Sequence, residues 1–343
     1  MNDLTASVHA YLTTAPTSNF LQREVEILAH WEGSSNLLWR VNSGGQEAAV
    51  KLYLDAGQAR GRRQFDGQQL FSPYGLAPQP LWFDRYPAGL ARQVLVYRWA
   101  PGDALNVQNE THLAALAQSI AQVHRGDPTE VRRFCPNPLN LDYLWRVVQG
   151  GIDPLQQWLL AQRATMVQSY FATLADNAQA LVEAALPLWQ GVPPTPVHGD
   201  LKGENVIASF GAAILLDWEL FGLGDPAYEV ATFLQASGAA LEPDQQESWL
   251  QGYLATFDQP GLTQRIEVYR RILPFQAVCY LLHGLRQHTP NELAELHESK
   301  QFLAQTLIAA FQQAAVALQV TPALIDNAVH ALLNRCLAPL QKN

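Results

Sequence analysis

Short apolar runs broken by polar, glycine-bearing turns open this chain, and longer runs with apolar residues every three or four positions follow. Residues 26–31, 37–41 and 47–54 are rich in Val, Leu, Trp and Tyr. The breaks between them, Glu32-Gly33-Ser34-Ser35-Asn36 and Asn42-Ser43-Gly44-Gly45, have turn composition. Together they predict an antiparallel meander. Residues 56–71 are helix-compatible, although Gly61 and Gly67 weaken the pattern, and 81–84 and 93–99 read as two further strands. The last ends on Ala100-Pro101-Gly102-Asp103, a strong turn signal, and we place a lobe boundary there, between 1–100 and 101–343.

Beyond it the period changes. After Thr111, Leu113, Leu116, Ile120 and Val123 recur at helical spacing, and 154–186, 243–257, 266–286 (interrupted by Pro274), 300–318 and 322–337 do the same. One β-like insert sits among them: 206–208 and 213–216 flank Ser209-Phe210-Gly211 as a short hairpin. No internal repeat or low-complexity segment is present. The expected class is α+β, with a β-rich N-lobe and a mainly helical C-lobe.

Composition narrows this. A chain of 343 residues that is 48% hydrophobic and 15% charged has the makings of a folded core rather than of disorder. With 22 Lys and Arg against 31 Asp and Glu the formal net charge is −9, which argues against a general nucleic-acid binder. Cys135, Cys279 and Cys336 are odd in number and far apart, so neither a disulfide framework nor a cysteine zinc site is expected. Residues 1–20 lack the apolar run of a secretory signal, and we expect no membrane span. The expectation is a soluble, cytoplasmic protein; oligomeric state is not legible.

The reactive groups concentrate in one place: Val197-His198-Gly199-Asp200-Leu201-Lys202-Gly203-Glu204-Asn205, then Leu215-Leu216-Asp217-Trp218-Glu219. Asn205 opens the hairpin and Asp217 closes it, so an amide oxygen and a carboxylate meet at one end. Hard oxygens of that kind suit Mg²⁺, which leaves its other positions to water and phosphate. Asp200 precedes them closely enough to orient a hydroxyl toward a phosphate. Any one of these residues alone reads more readily as a turn former; three polar positions flanking one hairpin do not. His124 reads as a structural histidine closing an apolar stripe, and His198 as a backbone-bonding group rather than a base. Trp249, Tyr253 and Phe257 read as core, and Arg60, Arg62 and Arg63 as a solvated face.

The His198-Gly199-Asp200-Leu201…Asn205 segment with Leu216-Asp217-Trp218-Glu219 resembles the catalytic loop and metal-binding strand of the aminoglycoside phosphotransferase / choline kinase family, small-molecule relatives of protein kinases. The likeness runs on through Gly224-Asp225-Pro226-Ala227-Tyr228-Glu229-Val230-Ala231, with Glu229 where that family usually has Asp, and covers roughly residues 25–235. Weaker matches are Gly33-Ser34-Ser35-Asn36, Ala49-Val50-Lys51 and Val94 to Gly102. The resemblance implies a protein-kinase-like bilobal fold and a phosphotransferase using ATP and Mg²⁺ as cofactors. It implies Asp200 as the base, with Lys202 near the transferred phosphate or simply solvated. It implies Asn205 and Asp217 as metal ligands, Lys51 on the α- and β-phosphates, and backbone amides of Ser34, Ser35 and Asn36 covering them. Backbone between Arg98 and Ala100 would hold adenine. Only one glycine marks the phosphate turn, and no helix glutamate is evident for Lys51: spacing falls on Gln64, and the nearest acid is Asp66.

Trp218, Glu219 and Asp225 lie near Asp200 in sequence and are candidate contacts to the acceptor, a small molecule bearing a hydroxyl. An aromatic-plus-carboxylate site would suit a cation such as choline, thiamine or an aminocyclitol, while a sugar or amino-acid alcohol would leave the same sequence. The competing reading is a nucleotide-binding pseudokinase serving as a scaffold. A protein kinase is disfavoured, since Gly224 follows Asp217 too soon for an activation loop.

Overall fold

The computed structural model describes residues 2–33, 35–55, 59–209, 211–237, 240–287 and 300–336. The predicted meander forms as β1 (Glu26–Glu32), β2 (Asn36–Ser43) and β3 (Gln46–Tyr53), joined by β4 (Pro80–Asp84) and β5 (Val94–Arg98) into an antiparallel sheet ordered β1-β2-β3-β5-β4. Between β3 and β4 lies helix α2 (Arg60–Phe71). Gly61 belongs in it for packing reasons: a Cβ there would sit 2.8 Å from Phe83 and 2.9 Å from Tyr53. A helix without an evident sequence signal precedes the sheet. This α1 (Asn2–Thr14) is short and rich in Thr and Ser, and it is held by burying Val8, Tyr11 and Leu12 against Phe20, Trp39, Val41 and Trp82. At roughly 1.5–3 kcal/mol for each large side chain buried, packing of that kind outweighs weak propensity.

The helical part begins with α3 (Glu110–His124), started by Asn109, whose side chain accepts the Thr111 and His112 N–H groups. Next come α4 (Leu141–Ala161) and α5 (Thr165–Ala185), which correct the expectation of one helix over 154–186. The first starts well before Pro154, capped by Asn140, and ends in a Schellman pattern: Ala164 N–H donates to Leu159 O at 2.9 Å and Arg163 N–H to Leu160 O at 2.8 Å. Arg163 takes the left-handed φ of 52° usually given to glycine. Then follow α6 (Pro226–Ser237), α7 (Pro243–Leu254), α8 (Leu262–Gln287), α9 (Lys300–Leu318) and α10 (Asp326–Cys336). Contrary to expectation, α9 is long and apolar enough to cross a membrane by length and composition, with hydropathy 1.2. Ala304, Leu307, Phe311, Ala314 and Leu318 form a buried stripe at helical spacing, the packed face of the helix.

The predicted hairpin is β8 (Val206–Ser209) with β9 (Ala212–Leu215), extended at its edge by β6 (Asp103–Ala104). A second small ladder pairs β7 (Thr195–Val197) with β10 (Gly222–Gly224). By internal contacts the chain forms two compact units, 1–137 with 194–229 and 236–258, and 138–193 with 230–235 and 259–343. The first contains the sheet, α2, α3, α7 and every reactive residue singled out above. Stacked rings mark the core of the second, with Phe171 5.5 Å from Phe275 and Tyr170 5.9 Å from Phe311.

Candidate active site

Strand β7 delivers His198 into a buried position, and five hydrogen bonds fix the loop that follows. The His198 ring places Nε2 2.6 Å from the Leu216 carbonyl, which can only accept, so Nε2 carries the proton and Nδ1 accepts the Asp200 N–H at 3.3 Å. His198 is thus a backbone brace, as its sequence context predicts. The Glu229 carboxylate accepts the His198 N–H at 3.2 Å and the Gly199 N–H, and Asn137 donates to the Gly199 carbonyl. Gly199 has φ 89°, and a Cβ there would lie 2.6 Å from the Leu220 oxygen, so both conformation and space require glycine.

Glu229 is the functional residue that sequence reasoning undervalued. It also meets His124 Nε2 at 2.8 Å, and His124 Nδ1 meets the Tyr253 hydroxyl at 2.7 Å. Burial pushes the Glu229 carboxyl up, but the hydrogen bonds from His124 and the Gly199 N–H hold it below the ordinary carboxylate range. Glu229 is 5% exposed, His124 1% and Tyr253 0%, so this Tyr–His–Glu chain sits in the interior and steadies the loop from behind. Trp249, Tyr253 and Phe257 are buried, as expected of a core stripe.

The loop presents Asp200 with its side chain 31% exposed. Its Oδ2 accepts Asn205 Nδ2 at 2.9 Å and lies 3.4 Å from Lys202 Nζ. Lys202 leans more closely on Glu204, at 2.8 Å, which raises its pKa. The Leu216 N–H donates to the Asn205 carbonyl at 2.7 Å, closing the hairpin so that Asn205 and the residue preceding Asp217 are directly paired. With its amide nitrogen committed to Asp200, Asn205 keeps its amide oxygen for another partner.

Asp217 takes a left-handed backbone, φ 57° and ψ 56°, and its carboxylate accepts a hydrogen bond from Lys51. Lys51 is 4% exposed; Nζ lies 3.0 Å from Gln64 Oε1 and 3.6 Å from Glu219. The α2 partner of Lys51 is therefore Gln64. Asp66 turns away to Arg62 at 2.8 Å and Arg133 at 2.6 Å. The Tyr53 hydroxyl shares Gln64 Oε1 at 2.6 Å, and burial keeps the phenols of Tyr53 and Tyr97 protonated well above the ordinary range.

Other expectations need correction. Trp218 is fully buried: it stacks on Phe71 at 5.0 Å, meets His198 edge-on at 4.7 Å and donates Nε1–H to Leu215 O, so it cannot touch an acceptor. Asp225 is 5% exposed and caps α6 by accepting the Ala227 N–H. Glu219 faces Lys51 and Arg60 rather than open space. The three arginines are not a solvated face: Arg60 holds Glu219 at 3.0 Å, Arg62 holds Asp66, and Arg63 donates to the carbonyls of Phe134 and Phe221. In the turn expected to cover phosphate, Gly33 N–H donates to Asn36 O, and the Ser35 carbonyl accepts from Leu54; Ser34 lies outside the described residues. At the hinge the N–H groups of Arg98 and Trp99 donate to Gln79 and Glu47, which leaves Ala100 with the N–H not used by the sheet. The Cys135 thiol, near the loop, is pushed up to about 12 by burial and is not a nucleophile.

Comparison with known proteins agrees with this geometry. The model of the phosphotransferase enzyme family matches residues 26–275, and the chain belongs to that family. Protein LicA of Haemophilus influenzae is 26% identical over 105 residues, 30% of this chain and 39% of LicA, so the match spans well under half of that relative. Among solved structures, a choline/ethanolamine kinase family protein from Mesorhizobium loti superposes with TM-score 0.59 at 15% identity, covering 96% of this chain and 99% of that one. An aminoglycoside phosphotransferase APH(4)-Ia, solved with AMP-PNP and hygromycin B, gives 0.58 at 17%, covering 91% and 98%. Choline kinase LicA from Streptococcus pneumoniae gives 0.52 at 16%, covering 86% and 93%. These likenesses establish the protein-kinase-like fold.

Proposed function

We propose that this protein is an ATP-dependent small-molecule kinase that moves the terminal phosphoryl group to a hydroxyl. The observation that carries the reading is the convergence, within one compact unit, of a half-buried loop carboxylate (Asp200), two oxygen donors at a hairpin mouth (Asn205 and Asp217) and a buried lysine (Lys51). Phosphoryl transfer needs mainly positioning and neutralised charge, and these groups supply both.

Asp200 Oδ2 is occupied by Asn205 and Lys202, so Oδ1 is the oxygen that receives the hydroxyl proton. The acceptor oxygen bonds to phosphorus as the bridge to the β-phosphate breaks, and ADP leaves. Lys51 pairs with the non-transferred phosphates, and Lys202 takes charge developing on the transferred group. The Asn205 amide oxygen and the Asp217 carboxylate fit Mg²⁺, being hard donors that are too few for a closed protein cage; among the described residues no cluster of three or more His, Cys, Asp or Glu suggests another metal. Mg²⁺ bound there would offset phosphate charge. The Ala100 N–H is the hinge donor for adenine.

The acceptor class follows the relatives: choline-like alcohols and aminoglycosides come first, then thiamine, sugars and amino-acid alcohols. Trp218 and Glu219, buried and paired elsewhere, offer no contact to a cationic acceptor. Thermal-shift titration with ATP, with and without Mg²⁺, on the wild type and on Asp217→Ala tests the reading, since binding raises apparent stability by RT ln(1 + [L]/Kd). A Mg²⁺-dependent shift lost in the variant supports it. No shift with any nucleotide overturns it in favour of a scaffold.

A further inference from the structure

We infer that Glu219 carries the carboxylate that positions the nucleotide lysine in this chain, a positioning role seated on the turn after the metal strand instead of on helix α2. The inference rests on the kinase reading above.

Three observations lead to it. Lys51 is 4% exposed, and a buried ammonium needs a compensating charge near it. Helix α2 does not provide one: Gln64 offers a neutral amide oxygen at 3.0 Å, while Asp66 is held by Arg62 and Arg133. The carboxylates within 4 Å of Lys51 Nζ among the described residues are Asp217 and Glu219. Asp217 has a second duty at the hairpin mouth. Glu219 has none, and its side chain is only 10% exposed, so it lies where its charge is least screened.

Arg60 completes the arrangement. It stands one turn before Gln64, on the same face of α2, and meets the other Glu219 oxygen at 3.0 Å. The polarity of the helix–strand link is thereby inverted: α2 contributes a cation and an amide, and the carboxylate comes from the turn Trp218–Leu220. Two cations, Lys51 and Arg60, and two anions, Asp217 and Glu219, balance. Moving the carboxylate back to α2 should therefore restore what its removal takes away.

The probes are Mg²⁺·AMP-PNP, AMP-PNP with EDTA, and adenosine, with dissociation constants measured on wild type, Glu219→Gln, Gln64→Glu and the double variant. Glu219→Gln is expected to weaken Mg²⁺·AMP-PNP at least tenfold, in line with loss of one charge-assisted contact. Adenosine, which has no phosphates, should bind as before; a merely structural role would weaken both. The double variant should recover to within about threefold of wild type, and Gln64→Glu alone should gain nothing. The inference is overturned if Glu219→Gln binds AMP-PNP like wild type, if the double variant stays as weak as the single one, or if the defect vanishes in EDTA, which would make Glu219 a metal ligand. Should Glu219→Gln fold poorly, its Tm decides: recovery in the double variant supports the transplant, and no recovery overturns it. Wild type that fails to bind AMP-PNP at all overturns the kinase reading itself, and the inference with it.

Discussion

The loop that carries Asp200 and the strand that carries Lys51 both hold a charged group in place, yet they do so by different physics. Asp200 is fixed through backbone: His198, Gly199 and Asn205 are each tied by hydrogen bonds to Leu216, Glu229 or Asn137. The turn at φ 89° is open to Gly199 and would strain any other residue. Lys51 is held through side chains: an amide, two carboxylates and a phenol ring 5.3 Å from its nitrogen. Backbone restraint is specific and hard to exchange. Side-chain charge can be moved from one element to another. The contrast explains why the loop reads plainly in the sequence while the lysine's pairing with Glu219 does not.

Four substitutions would break or sharpen that contrast. The largest effect belongs to the group the loop exists to hold. Asp200→Ala should lower turnover by about 10²–10⁴, the usual worth of a positioned base, with nucleotide affinity kept. Steady-state kinetics beside calorimetric titration with AMP-PNP would check it, and near-wild-type turnover would remove Asp200 from the base role. Next comes Trp218→Ala, which should cost about 3–5 kcal/mol of stability as a fully buried aromatic. Denaturant unfolding measures that cost; a stable variant with only a changed KM for acceptor would return Trp218 to the substrate site.

Gly199→Ala should cost about 1–3 kcal/mol, because alanine resists that φ and its Cβ meets the Leu220 oxygen. Turnover should fall with it, whereas a matching change at Gly45, where φ is +83° but nothing lies within 4 Å, should affect stability alone. The smallest effect is one of pH. Glu229 has a folded pKa below its unfolded value of about 4.3. The stability it contributes is present above that unfolded value and lost as pH falls through the lower, folded one. Acid unfolding followed by circular dichroism should therefore be shallower in Glu229→Gln; an unchanged acid limb would mean the carboxylate does little for the loop.

Most of the fold was legible because its elements satisfy local rules. The meander, α2, α3, the hairpin and α9 all follow from alternation, turn residues or helical spacing. What escaped was decided by tertiary contact. Helix α1 has little intrinsic pattern and exists because Val8, Tyr11 and Leu12 find the sheet. The break between α4 and α5 is capped by Arg163, a residue with no stop signature, and Pro154 misled because proline usually starts helices rather than sitting inside them. In the site, His198, Asp200, Asn205 and Asp217 were visible as two segments flanking one hairpin. Gln64 was legible by its spacing from Lys51, but the pairing of Arg60 and Lys51 with Glu219 was not, since it depends on how a helix face lies against a turn far away in sequence. Sequence proximity to Asp200 also misassigned Trp218 and Asp225, which point into the interior.

The chain of Tyr253, His124 and Glu229 behind the catalytic loop bears on the heat of binding. A loop already tied down in the free protein has little conformational freedom to surrender when nucleotide arrives. Its ordering is charged to folding rather than to association. Titration calorimetry should then show a small entropic penalty for nucleotide, and loosening the buried chain with Tyr253→Phe should shift the signature toward stronger enthalpy and greater entropy loss at nearly constant affinity.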